Sequence, residues 1–205
     1  MVAAVILAAG ASTRMGEPKA LLLDGVGRPF VARIVRTFAS AGIADIVVVT
    51  GALHDAIVEA VTRDRPPVMP RFANNPDPSR GQLSSLWVGL AASDRPGVEA
   101  VLITLVDVPM LTAGTIGAVV DTWRRTHAPI VRPAIRERHG HPVLFDRSVF
   151  DALRAAPLEH GAKYVVHEHA DRLINVEVSD AGCLVDVDTP SDYNALLRGD
   201  PMDKN

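Results

Sequence analysis

The apolar run Val2 to Leu7 leads straight into the small residues Ala8-Ala9-Gly10. A run of this kind is a buried strand, and small residues at its end let the chain turn sharply over a ligand. Short β-branched runs then alternate with amphipathic stretches along most of the chain. Strands are read at Val2–Leu7, Asp45–Thr50, Val68–Phe72 and Val101–Leu105, and helices at Phe30–Ala41, Ala52–Arg63, Leu83–Ala92 and Thr112–Arg125. Such alternation builds βαβ units, so the fold class is α/β: a mostly parallel sheet with helices on both faces. The second half is less regular. Strands are expected at Ile130–Arg132, Pro142–Phe145, Leu173–Val178 and Leu184–Val187, and helices at Ser148–Ala155, Ala162–His169 and Ser191–Leu197. Residues 1–200 are expected to form a single domain, followed by a disordered polar tail at 201–205.

The first loop carries the chemistry. It reads Leu7-Ala8-Ala9-Gly10-Ala11-Ser12-Thr13-Arg14-Met15-Gly16-Glu17-Pro18-Lys19. Backbone N–H groups in a concave loop bind phosphate, and Arg14 and Lys19 add two cations suited to it. The loop is neither a G-x-G-x-x-G fingerprint nor a Walker A motif. It reads as a triphosphate cradle of another kind. Asp107 stands just past the strand Val101–Leu105, on the edge where ligands collect in open α/β sheets. A carboxylate there suits Mg²⁺, a hard cation that takes oxygen ligands. A further acidic run, Asp186-Val187-Asp188-Thr189-Pro190-Ser191-Asp192, offers a second ligand or a helix cap. Strand alternation would put Asp186 and Asp188 on one face, with Asp188 the favoured ligand. Gly81 and the pair Ser84-Ser85 open a helix and can hydrogen-bond a base or ribose.

The rest of the composition excludes more than it assigns. The formal net charge of −3 gives no global basic field for nucleic acid. No stretch is long and apolar enough to span a membrane, and the N-terminal run lacks a basic leader, so a cytoplasmic protein is expected. The one cysteine, Cys183, excludes an intrachain disulfide and reads as a small buried residue. His160, His167 and His169 lack a convincing metal-ligand spacing.

The first loop resembles the signature of the MobA-like nucleotidyltransferases, most closely the molybdenum-cofactor cytidylyltransferases. Later segments match in order: Gly81 to Leu86, Leu105 to Pro109, Gly140 to Phe145 and Asp186 to Asp192. The resemblance implies a three-layer α/β/α, Rossmann-like nucleotide-diphospho-sugar transferase fold. It implies nucleotide contacts from Leu7, Ala8, Ala9, Gly10, Ser12 and Thr13. Arg14, Lys19 and Asp107 take the catalytic roles, with Gly81 and Ser85 on the base side. Asp107 and Asp188 would hold Mg²⁺, and Gly140, His141 and Pro142 would line the acceptor side. The implied reaction moves CMP from CTP to the molybdopterin form of the molybdenum cofactor, with release of pyrophosphate. Ala9 favours CTP, because guanylyl-transferring relatives usually carry glycine there. Rival readings are a nucleotidyltransferase acting on a sugar phosphate or phospholactate, and a non-catalytic molybdenum-cofactor carrier or insertion chaperone. Expected partners are therefore an NTP, a phosphorylated acceptor and a molybdenum hydroxylase, with no nucleic acid and no membrane.

Overall fold

The computed structural model describes residues 1–200; the tail expected at 201–205 lies outside the described residues. Strand β1 (Val2–Leu7) is buried along its whole length. It pairs in parallel with β2 (Asp45–Thr50) on one side and with β4 (Ala100–Leu105) on the other. Beyond β2 lies β3 (Arg71–Asn74), also parallel. Beyond β4 the direction reverses once at β7 (Val143–Asp146) and reverts at β5 (Ile130–Ile135). The short β6 (Arg138–His139) runs antiparallel to β5, and β8 (Ile174–Glu177) runs parallel to it. The spatial order is β3-β2-β1-β4-β7-β5-β6, with β8 attached to β5. The sheet is thus mostly parallel, with only β6 and β7 reversed.

Period-two alternation along β1 sorts its side chains between two cores. Ala4, Ile6 and Ala8 enter the core shared with α1 (Phe30–Ser40), α2 (His54–Asp64) and α4 (Ala113–Thr126). Tyr193 and Leu196 of α7 (Pro190–Arg198) pack on that same core. Val5, Leu7 and Ala9 enter the opposite core, shared with α3 (Gln82–Ser93), α5 (Phe150–Ala155) and α6 (Ala162–Glu168). The result is three layers, α/β/α. Phe30 and Phe38 of α1 are fully buried, each contributing about 1.5–3 kcal/mol by leaving water. Thr112 caps α4, its side chain accepting from Thr115 N. Among the described residues, no helix is long and apolar enough to cross a membrane.

Some elements differ from the sequence reading. The strand expected at Val68–Phe72 begins only at Arg71, after Pro70, because proline has no N–H for the ladder. The expected helix start at Ala52 moves to His54. The helix expected at Ala162–His169 starts at Ala162, after Gly161 at φ 65°, and ends one residue early at Glu168. No strand forms over Leu184–Val187. Ala181–Leu184 is a 3₁₀ turn, and the chain then runs as an extended strap that reaches the sheet's edge through Val187 N donating to Asp107 O at 2.8 Å.

Candidate active site

Three segments meet at the carboxyl ends of the parallel strands: the loop after β1, the residues after β4, and the strap before α7. The first loop leaves β1 with Ala8 N still bonded to Val49 O at 2.8 Å. Ser12 then adopts φ 52°, and its carbonyl accepts from Met15 N at 3.0 Å and Gly16 N at 3.2 Å. Met15 plugs into the core beside α1, which ties the loop down. Ser12 Oγ accepts from Lys19 N at 3.1 Å, so the loop closes on itself and turns Lys19 inward. A Cβ built on Gly10 meets nothing within 4 Å, leaving open space above the backbone there.

Lys19 carries the strongest electrostatics of the site. Its Nζ donates to Asp107 Oδ2 at 2.8 Å and to Asp188 Oδ1 at 2.5 Å. The Lys19 side chain is only 10% exposed, whereas that of Arg14 is 72% exposed, with Nη1 3.4 Å from Asp188 Oδ2. Burial pulls the Lys19 pKa down, but the hydrogen bonds and charges of Asp107 and Asp188 outweigh it and hold the ammonium above its ordinary value. Asp107 Oδ1 is buried with no hydrogen-bond partner. A buried lone-pair oxygen of this kind suits a hard cation. Among the described residues, no three of His, Cys, Asp and Glu converge, so protein alone supplies at most this pair of carboxylates.

The acidic run before α7 divides its work. Thr189 caps the helix, accepting from Asp192 N, while the Asp192 carboxylate accepts from Asp188 N at 3.0 Å and Thr189 N at 2.8 Å. This capping box leaves the Asp188 side chain for Lys19 and Arg14. Because the strap joins no ladder, strand alternation does not govern Asp186 and Asp188.

On the far wall, Gly81 sits at φ 93° and precedes α3, a conformation that side-chain-bearing residues rarely adopt. Ser84 and Ser85 follow in the first turn of α3, both buried. Together these walls enclose a cavity of about 250 Å³. Leu7, Ala9, Gly10, Ser12, Thr13 and Arg14 line it, as do Lys19, Gly81, Ser85 and Asp107. Asp188 does not itself line it but pairs with Lys19 and Arg14, which do. Ala8 does not line it, contrary to expectation: alternation turns its methyl into the core beneath α1.

A second cavity, about 530 Å³, adjoins the first through shared Leu7, Gln82 and Leu105. Its floor is apolar, with Leu83, Ile103 and Phe145, and its rim carries Arg132, His160 and Lys163. Gly140 and His141 line it, whereas Pro142 is buried behind them and does not. Gly140 is required by packing: a Cβ there would stand 2.2 Å from Cys183 O. His141 N donates to that same carbonyl at 2.9 Å, locking the strap to the cavity wall. Burial lowers the His141 pKa; its contact with Ile103 O and the charges of Asp186 and Asp107 oppose this without overcoming it. His160 stacks on Tyr164, and His169 Nδ1 lies 2.9 Å from Val165 O. Burial and the charge of Asp180 push the Cys183 thiol up to about 11, which keeps it protonated and unreactive at neutral pH.

The MobA-like NTP transferase domain matches residues 4–173. The chain belongs to this family. MobA-like transferases are nucleotidyltransferases, and relatives cover the chain end to end. A nucleotidyl transferase from Methanothermobacter thermautotroptrophicus superposes with a TM-score of 0.74 at 26% identity, over 98% of this chain and 99% of that one. Rv0371C from Mycobacterium tuberculosis H37Rv, solved in complex with manganese, superposes with a TM-score of 0.70 at 26% identity, over 96% and 98% of the two chains. The nicotine blue oxidoreductase of Paenarthrobacter nicotinovorans is 29% identical over 96% of each chain.

In this MobA-like transferase one polar residue of the site escaped the sequence reading. Asn75, in the polar segment Asn74 to Arg80, is buried and bonded to both Ser84 and Ser85. Its backbone N donates to Thr50 O at 2.7 Å, which pins this end of the segment to β2. The available signal was an Asn directly before Pro76 at the end of a strand, a place where Asn side chains organise turns.

Proposed function

We propose that this MobA-like transferase moves CMP from CTP to the molybdopterin form of the molybdenum cofactor and releases pyrophosphate. The observation that carries the reading is the burial of Lys19 between Asp107 and Asp188 at the foot of a cavity walled by the Gly10 loop. A phosphate oxygen of the acceptor attacks the α-phosphorus of CTP; the new O–P bond forms as the bond to the β-phosphate bridging oxygen breaks, and pyrophosphate departs. The nucleophile is already ionised, so no side chain needs to take a proton. Catalysis then rests on positioning and on charge placed where it develops. Arg14 is exposed and free to follow the phosphates, and Lys19 can turn from its carboxylates to a triphosphate oxygen.

Asp107, through its unpartnered Oδ1, and Asp188 would hold a divalent cation, Mg²⁺ in this reading. When bound, the cation neutralises triphosphate charge as a Lewis acid. The manganese complex of the mycobacterial relative supports a divalent site in this fold. The methyl of Ala9 narrows the base end and favours a pyrimidine, and Ser85 supplies a polar contact there. The adjoining cavity, apolar below and carrying Arg132 and Lys163 beside Glu159 among its polar lining, suits a phosphorylated heterocyclic acceptor.

The test is pyrophosphate release by purified protein with a divalent cation, the molybdopterin form of the cofactor and each of the four NTPs in turn. Release with CTP above the others is expected. Release only with a sugar phosphate as acceptor would overturn the acceptor assignment, and a preference for GTP would overturn the base assignment. Turnover of nicotine blue without pyrophosphate release would replace the whole reading with the redox one that the Paenarthrobacter relative's name suggests.

A further inference from the structure

Asn75 is 4% exposed, and its backbone N–H and both side-chain polar atoms are engaged. Its N donates to Thr50 O at 2.7 Å, and its Oδ1 accepts from Asp77 N at 3.0 Å. With Oδ1 facing a backbone donor, the amide nitrogen must face the other way. There Nδ2 donates to Ser84 Oγ at 2.9 Å and to Ser85 Oγ at 3.0 Å. Each serine oxygen therefore accepts, and each serine has its own proton left to give. Ser84 gives its proton to Gly81 O at 2.7 Å. Ser85 has no such outlet: among the described residues, no acceptor takes its proton. Ser85 lines the cavity.

We propose that Asn75 is a positioning residue that fixes the polarity of Ser85, making Ser85 a hydrogen-bond donor to the base, so that the bound base must present an acceptor at that point. The proposal rests on the nucleotide reading of the cavity. The cytosine edge meets the requirement with O2 or the unprotonated N3. A hydroxyl in water chooses its direction freely. Here the two amide protons remove that choice, and a site whose polar group is already oriented discriminates against ligands that leave it unpaired. Asn75 touches no ligand; it acts through Ser85.

The test compares calorimetric affinities for two probes in the presence of a divalent cation. One is whichever of the four NTPs the wild-type protein binds most tightly, and the other is ribose 5′-triphosphate, which has the triphosphate and sugar but no base. The variants are Ser85→Ala, Asn75→Asp and the pair combined, each checked for folding by thermal melt. Asn75→Asp keeps the shape but turns the amide donor into an acceptor, so the Ser85 proton turns back into the protein. Each single variant should weaken the NTP by about threefold to tenfold, the share of one hydrogen bond, and leave ribose 5′-triphosphate unchanged. The double variant should be no weaker than Ser85→Ala alone. Equal weakening of both probes by Asn75→Asp would make Asn75 merely structural and overturn the proposal. An unchanged ratio in Ser85→Ala would overturn it too, and that variant decides the matter if Asn75→Asp fails to fold. A wild-type preference for GTP would sink the CTP reading while the donor polarity is still tested on GTP. Failure of every NTP to bind would sink both.

Discussion

Lys19 Nζ and Asp107 Oδ2 stand 2.8 Å apart at the foot of the cavity, and the same ammonium also holds Asp188. Removing the cation leaves two neighbouring carboxylates facing each other. Lys19→Met should therefore destabilise the fold as well as stop turnover. Breaking a buried ion pair from one side costs about 3–5 kcal/mol, and the partial exposure of both acids puts this case at the lower end. Urea unfolding at neutral pH measures it, and unchanged stability would contradict the burial of the pair. The Lys19 pKa is raised on folding, so its contribution is complete below the ordinary value of 10.5 and is lost as pH climbs through the raised one.

Arg14 offers the contrasting case. Its side chain is exposed and pairs with Asp188 at 3.4 Å. Arg14→Ala should leave stability within about 0.5 kcal/mol of wild type. Turnover should fall on the order of a hundredfold or more, the cost of one lost donor at a transition-state charge. Near-wild-type pyrophosphate release by this variant would remove Arg14 from the cradle.

Gly140→Ala tests whether the strap positions the site. The added methyl would meet Cys183 O at 2.2 Å and Cys183 C at 2.8 Å, both backbone atoms. The strap from Ala181 must then shift, and it carries Asp188 toward Lys19. Overpacking of this kind costs about 1–3 kcal/mol. Thermal melts should show the loss, and calorimetry should show weaker divalent-dependent binding of CTP in the same variant. A variant with native stability would mean that Gly140 has room.

The pH dependence of stability should carry a signature of His141. Burial depresses its pKa below the ordinary 6.5, so the folded state binds fewer protons than the unfolded state in that range. Stability from this group is present above pH 6.5 and is lost as pH falls through the depressed value. Melting temperatures of His141→Gln should decline less steeply than wild type between neutrality and pH 5. Parallel declines would show that the imidazole titrates normally.

Much of this arrangement is legible in the sequence, for physical reasons that differ along the chain. The strands β1, β2 and β4 are buried on both faces, so their apolar runs are unbroken and their ends stand out. The cradle loop keeps its basic residues within one short turn, where local sequence is enough to pair Arg14 with Lys19. The carboxylates were legible singly but not as a set. Nothing local says that Asp107, Asp188 and Lys19 share one ammonium, because their contact spans most of the chain. The strap misled in the other direction: Leu184 to Val187 has the composition of a strand, yet it finds no ladder partner, so alternation did not apply to Asp186 and Asp188. Ala8 failed as a cavity residue for the opposite reason, since it obeys the alternation of β1 after the ladder has ended. Asn75 was hidden because its role depends on hydroxyls several residues away on α3, not on any motif of its own.

In the proposed reaction Asp107 serves a cation that the triphosphate needs. Calorimetric titration of CTP into the wild-type protein and into Asp107→Asn, each with Mg²⁺ and with EDTA, measures that dependence. The amide keeps the shape of the side chain and removes its charge. Wild-type protein should bind CTP far more tightly with Mg²⁺ than with EDTA, and Asp107→Asn should show little difference between the two conditions. Equal CTP affinity of the wild-type protein with Mg²⁺ and with EDTA would mean that Asp107 holds no cation for the triphosphate.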